Sequence, residues 1–325
     1  MPPAVYAQNV IALIWDFDKT LSPDYMQKPL FEEYNVDPTD FWMQNNEYIE
    51  YYNKKIANNL EEVNPDTFYL NQIIKYIKAG IFKDLTNKKL QELGSKIRLS
   101  AGLPDFFDRT RAIASEPDFN KHDIRIEHYI VSTGLRAMIQ GTALADKVDG
   151  IWACTLLPSS SEPSSSDNKS NNLLPVASTQ VLSQVGYALD NTTKTKAIFE
   201  INKGINKDTT GRLDVNTRLS DDQRRVPFHY MIYIADGPSD IPSFSVVGSK
   251  GGKCLAVYGE DPKEYENAAS LEEQGRAHSI APADYRPGKP ADKWLNRAIR
   301  IMANEIVAKR EAVFNSLGML PEHVV

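Results

Sequence analysis

The chain is poor in cysteine: of its 325 residues only Cys154 and Cys254 carry a thiol, far apart and each inside an apolar run. No disulfide framework or zinc spacing can be built from them, so both are assigned to core. The five histidines, at 122, 128, 229, 278 and 323, contain no pair at a ligand spacing such as His-x-x-x-His, which argues against a transition-metal site. Excess charge is also lacking, since 37 basic against 43 acidic residues leave −6, no basic footprint for nucleic acid. No apolar run reaches the roughly 20 residues that span a bilayer. The start, Met1-Pro2-Pro3-Ala4, lacks the basic region, apolar stretch and cleavage site of a secretory signal. A cytoplasmic protein with neither nucleic acid nor membrane as partner is expected. No internal repeat is visible, and nothing in the sequence speaks to oligomeric state.

What is present is the composition of an ordinary globular protein, 42% hydrophobic and 25% charged, long enough for a full core plus one accessory domain. The most informative stretch is Ile11-Ala12-Leu13-Ile14-Trp15-Asp16-Phe17-Asp18-Lys19-Thr20-Leu21. Its β-branched and aromatic start reads as a buried strand of a parallel sheet. Asp16 then stands at the strand's carboxyl end, the edge where open α/β sheets bind ligands. Four more strands are expected, at 126–131, 151–156, 230–235 and 253–258, with a β-like hairpin arm at 176–189 pairing with the strand at 151–156. The second strand runs into Ser132-Thr133-Gly134 ahead of a helix bearing Leu135, Met138 and Ile139, an arrangement that aims backbone N–H groups at an anion. The fourth ends in Asp236-Gly237-Pro238-Ser239-Asp240, a second pair of acids at a strand end. Between them, 191–199 opens a helix with Lys196 in or near its first turn, and Lys194 competes with it. Gly248-Ser249-Lys250-Gly251-Gly252 lacks a Gly-Lys-Ser/Thr ending and precedes a strand, so it is a turn.

Residues 22–99 read as helices. Ile49, Tyr52, Ile56, Leu60 and Val63 keep helical spacing, as do Leu70, Ile73, Ile74, Ile77 and Ile81 behind Asn64-Pro65, and then Leu90, Leu93 and Ile97. The aromatics near Phe41-Trp42 and at 48–52 read as packing. Phe106, Phe107 and Ile113 belong to a helix with proline in its first turn, and Leu295, Ile299, Met302 and Ile306 to an amphipathic helix near the end. Seven of the fourteen residues at 159–172 are serine, which suits a flexible surface insertion, bounded at 157–175, better than a core segment.

Four segments thus present Asp-x-Asp-x-Thr, Ser-Thr-Gly, Lys and Asp-x-x-x-Asp, in that order. This order resembles the four motifs of the haloacid dehalogenase-like superfamily, over residues 8–21 and 100–260. The resemblance implies an α/β fold, a three-layer Rossmann-like parallel sheet core, built from 1–21 and 100–325, with an inserted α-helical cap domain at 22–99. It implies a phosphatase of phosphoserine phosphatase-like motifs, with Asp16 the nucleophile that forms an aspartyl-phosphate and Asp18 the general acid and base. Mg2+ would be held by Asp16, the Asp18 carbonyl, Asp236 and Asp240, the last as a ligand or as a group behind one. Ser132, Thr133, Gly134 and Lys196 would grip the phosphoryl oxygens, and Thr20 would serve the same loop. Asp18 separates the phosphatases from the dehalogenases, which lack an acid there. The expected substrate is a small phosphorylated metabolite. Alternatives are a phosphotransferase that uses the same intermediate and a scaffold that keeps the fold without turnover.

Overall fold

The computed structural model describes residues 8–56, 62–158 and 180–318 of the chain. The serine-rich stretch at 159–172 and the first part of the expected hairpin arm lie outside the described residues.

β1 (Val10–Trp15) is the central strand, and all six of its residues are buried, as a continuous apolar run requires of a strand covered on both faces. The chain then enters the helical insertion: α1 (Lys28–Glu33), α2 (Pro38–Lys55), α3 (Pro65–Lys78) and α4 (Asn87–Gly94). Each of the last three starts on a side-chain cap: Asp37 accepts from the Thr39 and Asp40 N–H groups, Asn64 from Asp66 and Thr86 from Lys89. The expected helix at 64–81 is α3. The last one stops at Gly94, short of Ile97, and passes so close to the Met138 backbone that a Cβ at 94 would lie 2.0 Å from the Met138 carbonyl oxygen.

After α5 (Asp105–Ile113) and the short α6 (Pro117–Asn120) come β2 (Arg125–Leu135), α7 (Arg136–Gln140), β3 (Gly150–Pro158) and β4 (Leu182–Tyr187). α8 (Lys194–Lys203), β5 (Met231–Ala235), α9 (Ile241–Ser249), β6 (Lys253–Tyr258), α10 (Pro262–Glu273), β7 (Ser279–Pro282) and α11 (Pro290–Gly318) complete the order. The seven strands lie in the order β4-β3-β2-β1-β5-β6-β7, all parallel except β4, which pairs antiparallel with β3 as the expected hairpin arm. Helices pack on the sheet from both sides to make the three-layer α/β core. β7 has no counterpart in the sequence reading: it is a short edge strand of mixed polarity. Proline stands at the cap of α5, at 104, not inside its first turn. Among the described residues no helix is long and apolar enough to cross a membrane.

Candidate active site

Trp15, the last residue of β1, is level with Ile130 of β2 and Ile234 of β5. These two registers bring Asp16 and Asp236, each just past its strand, and Ser132, near the carboxyl end of β2, to one edge of the sheet. Asp16 stays in line with the sheet, its N–H donating to the Ile234 carbonyl at 2.9 Å. The chain then turns sharply, with the N–H groups of Leu21 and Ser22 both on the Phe17 carbonyl and Lys19 at φ +59°, a left-handed conformation that a lysine adopts only under constraint.

The lysine that reaches this edge is Lys194. Its Nζ is 2.7 Å from Asp16 Oδ1 and 2.7 Å from Asp240 Oδ1, and the side chain is fully buried. The expectation of Lys196 is corrected here: its ammonium pairs with Glu200 at 3.5 Å on a half-exposed part of α8. Helical periodicity supplies the reason. Lys194, Ala197, Ile198 and Ile201 form the buried stripe of α8, and Lys196, two residues on from Lys194, falls on another side. The turn that presents Lys194 is closed reciprocally, Thr193 N–H on Asp190 Oδ1 and Asp190 N–H on Thr193 Oγ1.

Asp240 is completely buried and held from three sides. Oδ1 accepts from Lys194 and, at 2.5 Å, from the Tyr233 hydroxyl, while Oδ2 accepts from Ser239 Oγ at 3.0 Å. Asp236 differs, with no hydrogen bond to its carboxylate from any side chain among the described residues. Carboxylate oxygens of Asp16, Asp236 and Asp240 all lie within 4.8 Å of one another. Lys194 is the ammonium beside this cluster, and the proton affinities of Asp16 and Asp236 reflect the crowding of carboxylates. Burial pushes Asp16 up to about 6, Asp240 adding to the rise and Lys194 opposing it. Burial, with Asp16 and Asp240 beside it, raises Asp236 well above the usual carboxylate range. Lys194 is raised well above its ordinary value because the attraction of Asp16 and Asp240 outweighs its own burial.

Asp18 stands apart from the cluster. Its Oδ1 accepts the Met26 N–H at 2.8 Å, and burial together with the Asp16 charge pushes its carboxyl up to about 8. Ser132 is buried with its Oγ accepting the Gly134 N–H at 3.0 Å, while the Thr133 carbonyl accepts the Tyr69 hydroxyl at 2.7 Å. A Cβ at Gly134 would meet Met26 Cε at 2.1 Å, so the methionine side chain fills the space beside this glycine. Thr20 is fully buried and braces the loop through its carbonyl, which accepts from Ser100 Oγ and the Tyr285 hydroxyl, each at 3.1 Å. Its own Oγ1 has no partner among the described residues. At the rim, Lys19 pairs with Glu264 at 3.2 Å and lies 5.3 Å from the centre of the exposed Tyr25 ring.

The structure therefore gathers Asp16, Asp236 and Asp240, with Lys194 in place of Lys196. Asp18 stands two residues on from Asp16, and Ser132, Thr133 and Gly134 lie in the carboxyl-terminal part of the adjacent strand, β2. Three further contributors, Met26, Tyr69 and Tyr233, were not singled out from sequence. Only Tyr233 had a visible cue, a hydroxyl inside an otherwise apolar strand.

An uncharacterized protein of Borreliella burgdorferi is 36% identical to this chain over 298 residues, 90% of this chain and 97% of its own length. The chain belongs to the same family as that protein. No protein-family model matches it. Among solved structures, a HAD family hydrolase of Salmonella enterica serovar Typhi is similar at 13% identity and a TM-score of 0.48, over 87% of this chain and 69% of the other. A probable phosphoserine phosphatase of Vibrio cholerae is similar at 12% identity and a TM-score of 0.48, over 92% and 68%. A substrate-bound phosphoserine phosphatase is similar at 16% and 0.45, over 85% and 95%. The Asp-x-Asp-x-Thr, Ser-Thr-Gly and Asp-x-x-x-Asp segments stand at the carboxyl ends of β1, β2 and β5 of the α/β core.

Proposed function

We propose that the chain is a Mg2+-dependent phosphatase that hydrolyses a small phosphorylated metabolite through an aspartyl-phosphate on Asp16. The observation that carries this reading is the Lys194 ammonium shared at 2.7 Å between Asp16 and Asp240, with the Asp18 carboxyl two residues from Asp16.

A phosphate monoester repels an anionic nucleophile, so a carboxylate attacks it only beside fixed counter-charge. Lys194 supplies that charge and holds Asp16 Oδ1, which leaves Oδ2 to attack phosphorus. The two acids of the first motif are poised for different work. Asp16, pushed to about 6, is ionised at neutral pH, and Asp18, pushed to about 8, keeps its proton. As the Asp16–phosphorus bond forms and the ester bond breaks, Asp18 gives its proton to the leaving oxygen. Asp18 then takes a proton from the water that attacks the phosphorus, and Asp16 is released as a carboxylate with inorganic phosphate. Ser132 Oγ already accepts from Gly134, so its own proton is free to donate to a phosphoryl oxygen.

The donor set fits Mg2+. Three hard carboxylates converge, one of them, Asp236, has no side-chain donor among the described residues, and the cluster carries more negative charge than Lys194 neutralises. Asp16 and Asp236 would be the ligands, with Asp240 committed to Lys194 and Tyr233 behind them. When bound, the ion supplies Lewis-acid stabilisation of charge on the phosphoryl oxygens. In this reading residues 22–99 are a cap over the core formed by 1–21 and 100–325. Its contacts beside Ser132 and Asp18 favour a substrate small enough to be enclosed.

The test is phosphate release from a panel of phosphorylated metabolites, with Mg2+ and with chelator, by wild type and Asp16→Asn. Metal-dependent release lost in the variant is expected. Release that survives in Asp16→Asn contradicts the assignment of the nucleophile. Transfer of the phosphoryl group to an added alcohol in place of water would make the enzyme a phosphotransferase.

A further inference from the structure

One peptide group connects the helical insertion to Ser132. Its oxygen is the Thr133 carbonyl, which accepts the Tyr69 hydroxyl of α3 at 2.7 Å, and its N–H is that of Gly134, which donates to Ser132 Oγ at 3.0 Å. Because a peptide is a rigid, polarisable plane, a donor on its oxygen fixes its orientation and strengthens its N–H as a donor. We propose that Tyr69 is a positioning residue that arms Ser132: through this peptide, its hydroxyl orients Ser132 Oγ so that the serine proton points at the bound phosphoryl group.

The surroundings suit that role. Tyr69 is 4% exposed, and Trp42 lies against its ring with centroids 5.9 Å apart, which holds the hydroxyl at the Thr133 carbonyl. The thiol of Cys154 reaches the same carbonyl at 3.2 Å, a weaker donor that cannot replace it. On the other side of the turn the Leu135 N–H is taken by Met26 Sδ at 3.0 Å, which pins the next peptide. Residues 26 and 69 both belong to the insertion. Withdrawal of α3 would remove the tyrosine hydroxyl from Thr133, so Ser132 would be fully oriented only while the insertion is seated.

This inference rests on the phosphatase reading, and the experiment separates the two. Wild type, Tyr69→Phe, Ser132→Ala and the double variant are compared for affinity toward inorganic phosphate in the presence of Mg2+, by calorimetry, and for kcat/KM on the best substrate of the panel. Tyr69→Phe keeps the ring and is expected to melt within a few degrees of wild type. Its phosphate affinity and kcat/KM are expected to fall about 2- to 10-fold, the range for one hydrogen bond. In the Ser132→Ala background the same change is expected to have no further effect. Losses that multiply in the double variant would mean that Tyr69 acts through packing, and a Tyr69→Phe enzyme equal to wild type would remove the role outright. Should Tyr69→Phe lose its cooperative melting transition, meta-fluorotyrosine at position 69 is the second variant. This stronger donor should tighten phosphate binding with Ser132 present and leave it unchanged in Ser132→Ala, and equal behaviour in both backgrounds overturns the proposal. A wild type that neither binds phosphate nor releases it from any ester would overturn the phosphatase reading instead.

Discussion

Lys194 Nζ stands 2.7 Å from Asp16 Oδ1, across 178 positions of sequence, so the first residue of α8 and the residue just past β1 form one buried ion pair. The pair is extended by Asp240 and, through it, by the Tyr233 hydroxyl. Lys194→Ala is expected to lower kcat by about 100-fold or more, the cost of removing one fixed donor from developing charge. Lys196→Ala, which loses only a half-exposed contact with Glu200, is expected to stay within about twofold of wild type. Steady-state kinetics of the two variants, side by side, decides between them.

Asp18 predicts the alkaline limb of the pH profile. Burial and the neighbouring Asp16 charge hold its carboxyl protonated up to about 8, so general-acid assistance is present below that value and is lost as pH rises through it. The limb should be absent from Asp18→Asn, and it should flatten for an aryl phosphate whose leaving group needs no proton. A limb that persists unchanged in Asp18→Asn would assign it to another group.

The same burial makes the metal-free protein pH-sensitive. Asp18 ionises near 3.8 in the unfolded chain and near 8 in the folded one, so between these values the folded state retains a proton that the unfolded state has lost. Stability therefore falls as pH rises through this window, and the raised Asp236 adds to the trend. Mg2+ is expected to raise Tm more at pH 8 than at pH 5, and Asp236→Asn to abolish most of that gain. Melting curves with Mg2+ and with chelator at the two pH values test both statements.

Far from the strand ends that carry the acids, Arg225 forms a buried bidentate pair with Glu127 near the start of β2, and Tyr129 donates to the same carboxylate. Burial raises Glu127, but the hydrogen bonds and charge of Arg225 more than offset it, leaving the acid below its ordinary value. Its contribution is present above the unfolded value near 4.5 and is lost as pH falls through the lower folded one. Arg225→Leu, which strands the carboxylate, is expected to cost about 3–5 kcal/mol of stability. Replacing both partners by leucine should cost less. Chemical denaturation of the single and double variants checks the order.

Much of this architecture was legible in the sequence because period and burial agree. The Ile11–Trp15 run could only be a strand buried on both faces, and Asn64-Pro65 marked the start of α3 by cap and proline together. Lys194 was obscured because a lysine does not register as part of an apolar stripe, although its spacing from Ala197, Ile198 and Ile201 placed it there. β7 was missed because Ser279-Ile280-Ala281-Pro282 has neither length nor alternation. Tyr69 and Met26 act through a backbone carbonyl, an N–H and a thioether contact, which depend on how the insertion meets the core and leave no motif.

The central claim is a covalent bond between phosphorus and Asp16. Asp18→Asn should form this bond with an aryl phosphate and release it slowly, so acid quenching followed by borohydride reduction and peptide mapping should find homoserine at position 16. Aspartate unchanged at 16, in an enzyme that still releases the aryl alcohol, would contradict the account.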